Sequence, residues 1–317
     1  MRKLIVGLVA ACFLVGCDEQ PKGGSGAMAL SANQEKQNVL SIGIDGWSFV
    51  GPSEVPSGWT TVRINNDSGM IHHALVYRLP EGVTDVMMAD LVIEPVQKSL
   101  TARLEGDVEK ANQLLGSIPE WFADIVYVGG PGMMSDGIVG EATMYLEPGD
   151  YIVECYVKTN GMQHNYNPEP GMHGMVLPVE VTSDDGGMAE PNANVTLAIS
   201  TDGFEIVDGA FKAGTNSVRV NFVEQQLYNG LVGLDAHVFR VDPDTNVADA
   251  VRWVNPFSNT GQETPGPAHY VGGIHDMPQG ANGYFKVDLE EGDYGIVAEV
   301  PGAFENGFFT IVSVTAD

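Results

Sequence analysis

From Val39 onward the chain alternates apolar and polar positions in short runs. Leu40 to Ile44, Thr60 to Ile64, Ala74 to Leu79, Ala142 to Leu146 and Tyr151 to Val157 are separated by Gly, Pro, Asn and Asp. A period of two over many short segments predicts an antiparallel β-sandwich. One interval departs from it: Leu100, Leu104, Val108, Ala111 and Leu115 recur at helical spacing, with Gly116 and Pro119 as stop signals and Gly106 as a weak point in the middle. A shorter helix is predicted to start at Thr84, whose side chain can cap the next turn.

The strand pattern occurs twice. The segment from Val128 to Cys155 matches that from Val271 to Ala298 without a gap, and Gly129, Gly130, Gly137, Gly140, Leu146, Glu147, Gly149, Asp150 and Tyr151 all recur 143 positions later. Upstream, Asp45-Gly46-Trp47 matches Asp202-Gly203-Phe204, and Val62 to Asn65 matches Val218 to Asn221 at a larger offset. The extra length of the first copy therefore falls mostly in the helical region of Leu100 to Leu115. The expected organisation is a leader over 1–16, a flexible linker over 17–38, a first domain over 39–183, a linker over 184–191 and a second domain over 192–317.

The leader changes what the cysteines mean. Arg2 and Lys3 precede an apolar run, Leu4 to Val15, too short for a membrane span. It ends in Leu14-Val15-Gly16-Cys17, which resembles a bacterial lipobox, and this resemblance implies that Cys17 is lipidated and becomes the mature N-terminus. Asp18 after it implies, by resemblance to enterobacterial lipoproteins, the periplasmic side of the inner membrane, with the outer membrane as the alternative. Cys12 leaves with the leader, so one thiol, Cys155, remains in an oxidising compartment and has no partner for an internal disulfide. The formal charge of −27 becomes −29 without Arg2 and Lys3. Such a field excludes nucleic acid and anionic lipid as electrostatic partners, and it suits a salty medium or a basic protein partner.

Candidate chemistry concentrates between Gly149 and Val181. Cys155 closes a strand in which Tyr151, Val153 and Cys155 share one face and Ile152, Glu154 and Tyr156 the other. His164, Met172, His173 and Met175 follow in a polar loop. Thiolate, imidazole and thioether together are the donor set of a blue-copper site. This segment, with the run Val176 to Val181 after Gly174-Met175, resembles the ligand-bearing end of the cupredoxins, the plastocyanin and azurin superfamily. Arg63 to Leu79, containing His72 and His73, resembles the stretch that carries their upstream histidine. The resemblance implies an all-β fold, two tandem cupredoxin-like Greek-key β-sandwiches, the first with a helical insertion, and one copper ion in the first domain. It favours His72 as the upstream ligand, with His73 as the alternate. It further implies Cys155, His164 or its alternate His173, and Met175 or its alternate Met172. Pro170 stands where the family pattern places the loop histidine, so the sequence leaves both loop histidines open.

The repeat acts as a control. Cys155 corresponds to Ala298 and Met175 to Phe308, and no His or Met lies between those two. The scaffold does not need these donors, and the second domain is expected to lack copper ligands. His237, His269 and His275 are widely spaced and form no recognisable cluster, and His269 and His275 are expected to be solvated. The resemblance points to one-electron transfer with a redox partner protein. The competing readings are Cu(I) capture and delivery beside other copper-handling proteins, and a metal-free binding or structural lipoprotein. Multicopper oxidases and copper nitrite reductases repeat this domain but carry His-x-His or His-Cys-His motifs absent here, so an enzyme is not expected.

Overall fold

The computed structural model describes residues 37–169, 172–228 and 230–316. The expected leader, the lipidated Cys17 and most of the 17–38 linker lie outside them. Among the described residues no helix is long and apolar enough to cross a membrane.

Each copy of the repeat forms two sheets. In the first, Val39–Asp45 pairs in parallel with Glu54–Asn65, which pairs antiparallel with Val139–Leu146. The facing sheet runs Val126–Gly129, Leu75–Arg78, Gly149–Glu154, Val176–Asp185. The long strand Glu54–Asn65 belongs to both, because its first residues pair with Val176–Asp185. In the second copy Val195–Ser200, Gly214–Phe222 and Asn282–Leu289 repeat the first sheet, while His269–Ile274, Ala236–Val241, Gly292–Val297 and Phe309–Val314 repeat the second. The alternation read in Tyr151 to Tyr156 is realised: Tyr151, Val153 and Cys155 enter the main core and Ile152 enters a separate cluster beneath the helices.

The copies join edge to edge. Asn282–Leu289 pairs with Val139–Leu146 through Tyr284 and Thr143, Phe285 and Ala142, and Lys286 and Glu141. This joins the two first sheets into one and covers edges that would otherwise expose unpaired amides. A second seam is reciprocal: the Gly132 amide donates to Gly273 O and the His275 amide to Gly130 O, both at 3.0 Å.

The helical insert follows the sequence signals with one difference. Thr84 Oγ1 accepts from Met87 N at 3.2 Å and starts the helix Asp85–Met88. The single helix expected over 100–115 is two, Glu94–Leu104 and Val108–Leu115. Gly106 takes φ +84, which ends the first, and Asp107 caps the second at Lys110 N. The second copy also has a helix in its corresponding connection, Val247–Trp253, too short to register as a periodicity.

Gly130 and Gly273 are the repeated points where the copies turn. They have φ of +117 and +135, and a Cβ on either would lie 2.0 Å from a backbone oxygen, of Ala74 and Ala236 respectively. Gly130→Ala is expected to cost ~2 kcal/mol or more in chemical unfolding. Gly137→Ala, at φ +81 with open space around it, should cost about 1 kcal/mol from backbone strain alone.

Candidate metal centre

Three donors meet at one end of the first sandwich. Cys155 Sγ lies 3.6 Å from His72 Nδ1 and 3.8 Å from His164 Nδ1, and the two nitrogens are 3.2 Å apart. These separations are those of donors sharing one ion at bonds of about 2.0–2.3 Å. All three residues are buried.

Backbone bonds set the triangle. His72 exchanges both amide bonds with Met134, at 3.1 and 2.8 Å. The Cys155 amide donates to Met175 O, the Met175 amide to His164 O and the His164 amide to Val157 O. The loop is thereby folded back so that His164 returns to the end of the strand that carries Cys155. Hydroxyls hold the rings: His72 Nε2 lies 2.9 Å from Ser68 Oγ and His164 Nε2 3.0 Å from Thr159 Oγ1. With Nε2–H donating to a hydroxyl, each Nδ1 keeps its lone pair for the site. Ser68 in turn donates to Asn66 Oδ1, and the Asn66 amide ties Met70 O to Met134 O.

Burial sets the protonation states. It lowers His72 to about 4. It also lowers His164, to about 3, with His72 adding to the effect. Both rings are therefore neutral and able to ligate near neutral pH. Burial pushes the Cys155 thiol up to about 12, against the backbone amides that favour its anion. The thiolate forms in this pocket only if a cation replaces the proton, which is the behaviour of a metal ligand. The donor set fits a type 1 copper ion.

The other residues considered from sequence go elsewhere. His173 Nε2 is 3.0 Å from Asp85 Oδ2, pointing toward the helical insert, and Met172 is 58% exposed. Met175 is fully buried in the core that includes Cys155. His73 turns to the face opposite His72. Its ring packs 4.3 Å from that of Tyr156 and 4.5 Å from that of His275.

The expected solvation holds for His269, which is exposed, and fails for His275, which is completely buried, as is His237. Together with Asp235 and Glu299 they place four donor atoms within 4.8 Å of one another. Sequence reasoning missed this group because its members are far apart along the chain. The internal repeat held a signal. Val76 pairs with Val153 and Val238 with Ile296, which makes Asp235 the counterpart of His73, and Glu299 that of Tyr156.

No family model and no curated protein matches this chain. Among solved structures it is similar to auracyanin A, a blue copper protein from Chloroflexus aurantiacus, at 15% identity and TM-score 0.26, covering 45% of this chain and 97% of that one. It is similar to rusticyanin from Thiobacillus ferrooxidans at 20% identity and TM-score 0.25, covering 40% and 79%. A multicopper oxidase aligns at 11% identity and TM-score 0.22, covering 87% of both chains. The strand pairing and the donor triangle define two β-sandwiches, the first bearing a His-Cys-His site.

Ser68→Ala and Thr159→Val remove the hydroxyls that orient His72 and His164. Each is expected to weaken copper binding by roughly 10–100-fold, measured by competition with a chelator of known affinity, with the fold unchanged by circular dichroism.

Proposed function

We propose that this protein is a copper-dependent one-electron carrier. The convergence of Cys155 Sγ and the Nδ1 atoms of His72 and His164 is the observation that carries this reading. Met175, buried in the core that includes Cys155, is the thioether that would complete the donor set. Copper bound there supplies a one-electron couple between Cu(II) and Cu(I). The chain contributes a site that moves little: both rings are pinned at Nε2 and the three ligand-bearing backbones are hydrogen-bonded to one another. It also excludes water, since neither His72 nor His164 exceeds 1% exposure.

Neither histidine offers a solvent-exposed contact to a partner. Trp47 does: its ring lies 4.8 Å from that of His164, edge-on, and the residue is 44% exposed. We assign electron entry and exit to this indole, toward a redox partner protein docking over it. A Cu(I)-capturing loop is less well supported, because His173 is engaged with Asp85 and the exposed Met172 is remote in role from the triangle.

The deciding experiment is Cu(II) addition to the purified chain, followed optically. An intense thiolate-to-copper band in the visible is expected, absent in Cys155→Ser and retained in His173→Ala. Tight Cu(I) binding without such a band replaces electron transfer with copper handling, and binding of neither ion overturns both.

The leader supports a periplasmic location with a lipid on Cys17 holding the chain to the inner membrane. Cys17→Ser is expected to move the protein from the membrane fraction to the soluble fraction. A wild-type chain already in the soluble fraction would overturn the anchor.

A further inference from the structure

The group at the junction of the two copies has its own geometry. His237 Nε2 lies 2.9 Å from Asp235 Oδ2 and 3.5 Å from Glu299 Oε2. His275 Nδ1 lies 3.9 Å from Asp235 Oδ2 and 3.9 Å from Glu299 Oε1. All four side chains are completely buried. Separations of this size are the edges of a coordination shell built on bonds of about 2.0–2.2 Å.

Hydrogen bonding leaves two features unexplained. Neither ring nitrogen of His275 has a partner, and neither does either nitrogen of His73 beside it. A buried polar atom without a partner costs about 1–3 kcal/mol, so two adjacent rings left without one mark a place where an ion would be held. The second feature is charge. Among the described residues the ion pairs of Asp235 and Glu299 are with His237 and His275 alone, with no Lys or Arg. Buried carboxylates persist when paired or bound to metal.

The surroundings hold the carboxylates in place. The Glu299 amide donates to Asp235 Oδ1 at 2.8 Å, Gln262 Nε2 donates to Glu299 Oε2 at 2.8 Å, and the Tyr156 hydroxyl donates to Glu299 Oε1. Each oxygen retains a further lone pair. The Met133 amide donates to His237 Nδ1 at 3.1 Å, which leaves the ring proton on Nε2 to donate to Asp235 Oδ2 at 2.9 Å. Partners that orient carboxylates in this way are the usual supports of a metal site.

We propose that Asp235, His275 and Glu299, with His237 donating to Asp235 beside them, form a second metal site, for one divalent first-row transition ion such as Fe(II), Mn(II) or Zn(II). Imidazole and carboxylate donors without sulfur suit these ions rather than Cu(I). His73, from the other copy, packs its unpartnered ring 4.5 Å from that of His275 and would add a nitrogen donor. The two sites are one peptide apart along two routes. His73 follows His72, and Tyr156, whose hydroxyl reaches Glu299, follows Cys155. A redox-active ion at the junction would exchange electrons with copper along these dipeptides. That exchange rests on the copper reading; the second site itself does not.

The test uses the full chain and a His72→Ala/Cys155→Ala variant that lacks the first site. Because the junction ligands are sealed from solvent, Zn(II), Mn(II) or anaerobic Fe(II) is supplied both to the folded chain and during refolding. Metal content is measured after a chelator wash. The variant is expected to retain one ion per chain, with nitrogen and oxygen but no sulfur neighbours by X-ray absorption. Asp235→Asn/Glu299→Gln is expected to lose that ion and keep the visible copper band. If this double variant fails to fold by circular dichroism, His275→Gln carries the same test. The proposal is overturned if the variant lacking the first site retains less than a tenth of an equivalent of every ion under both protocols. Retention undiminished by the junction substitutions overturns it equally. A junction ion retained where no copper band forms would sustain this site while removing the electron-carrier reading.

Discussion

The period of two along an extended chain is the constraint on which this structure depends. At His72-His73 and at Cys155-Tyr156 it sends neighbouring side chains to opposite faces of one sheet. His72 and Cys155 meet His164 inside the first sandwich, while His73 and Tyr156 meet the second copy. A one-residue slip between Leu75–Arg78 and Gly149–Glu154 would exchange these faces, leaving neither cluster assembled.

Burial then decides what each cluster does. In the first, neutral imidazoles and a thiol pushed up to about 12 form a pocket whose one unmet demand is a cation. At the junction, burial and the neighbouring Asp235 push Glu299 up to about 7. Both places have polar groups that water would satisfy at the surface and that the interior cannot satisfy by itself. They differ in their donors: sulfur and nitrogen in one, oxygen and nitrogen in the other.

The repeat shows how one scaffold carries these two arrangements. Strand registers align His72 with Leu234 and Cys155 with Ala298, both apolar and buried in the second copy. The opposite face keeps polar residues in both copies, His73 and Tyr156 in one, Asp235 and Glu299 in the other. The faces come together because Asn282–Leu289 is paired to Val139–Leu146 and the Gly130 and Gly273 turns exchange amide bonds.

The strands and the duplication were legible because they follow from local preference, alternation and recurring glycine positions; Gly106 marked a weak point in one expected helix, and only the structure makes it a break between two. The ligand types were legible too, since a lone thiol followed by His and Met is unusual in a sandwich loop. Which histidine reaches Cys155 was not, because it depends on the path of the loop. Amide bonds among Val157, His164, Met175 and Cys155 return His164 to the site and leave His173 beside Asp85. His237 and His275 showed no cluster in their spacing, and His275 read as solvated. The pairing of Ala236–Val241 with His269–Ile274 and Gly292–Val297 brings them together with Asp235 and Glu299. Sequence alone thus determined the elements and the donor chemistry, which local periodicity encodes; tertiary structure decided which donors share a site, because residues distant in the chain meet only through strand pairing and loop closure.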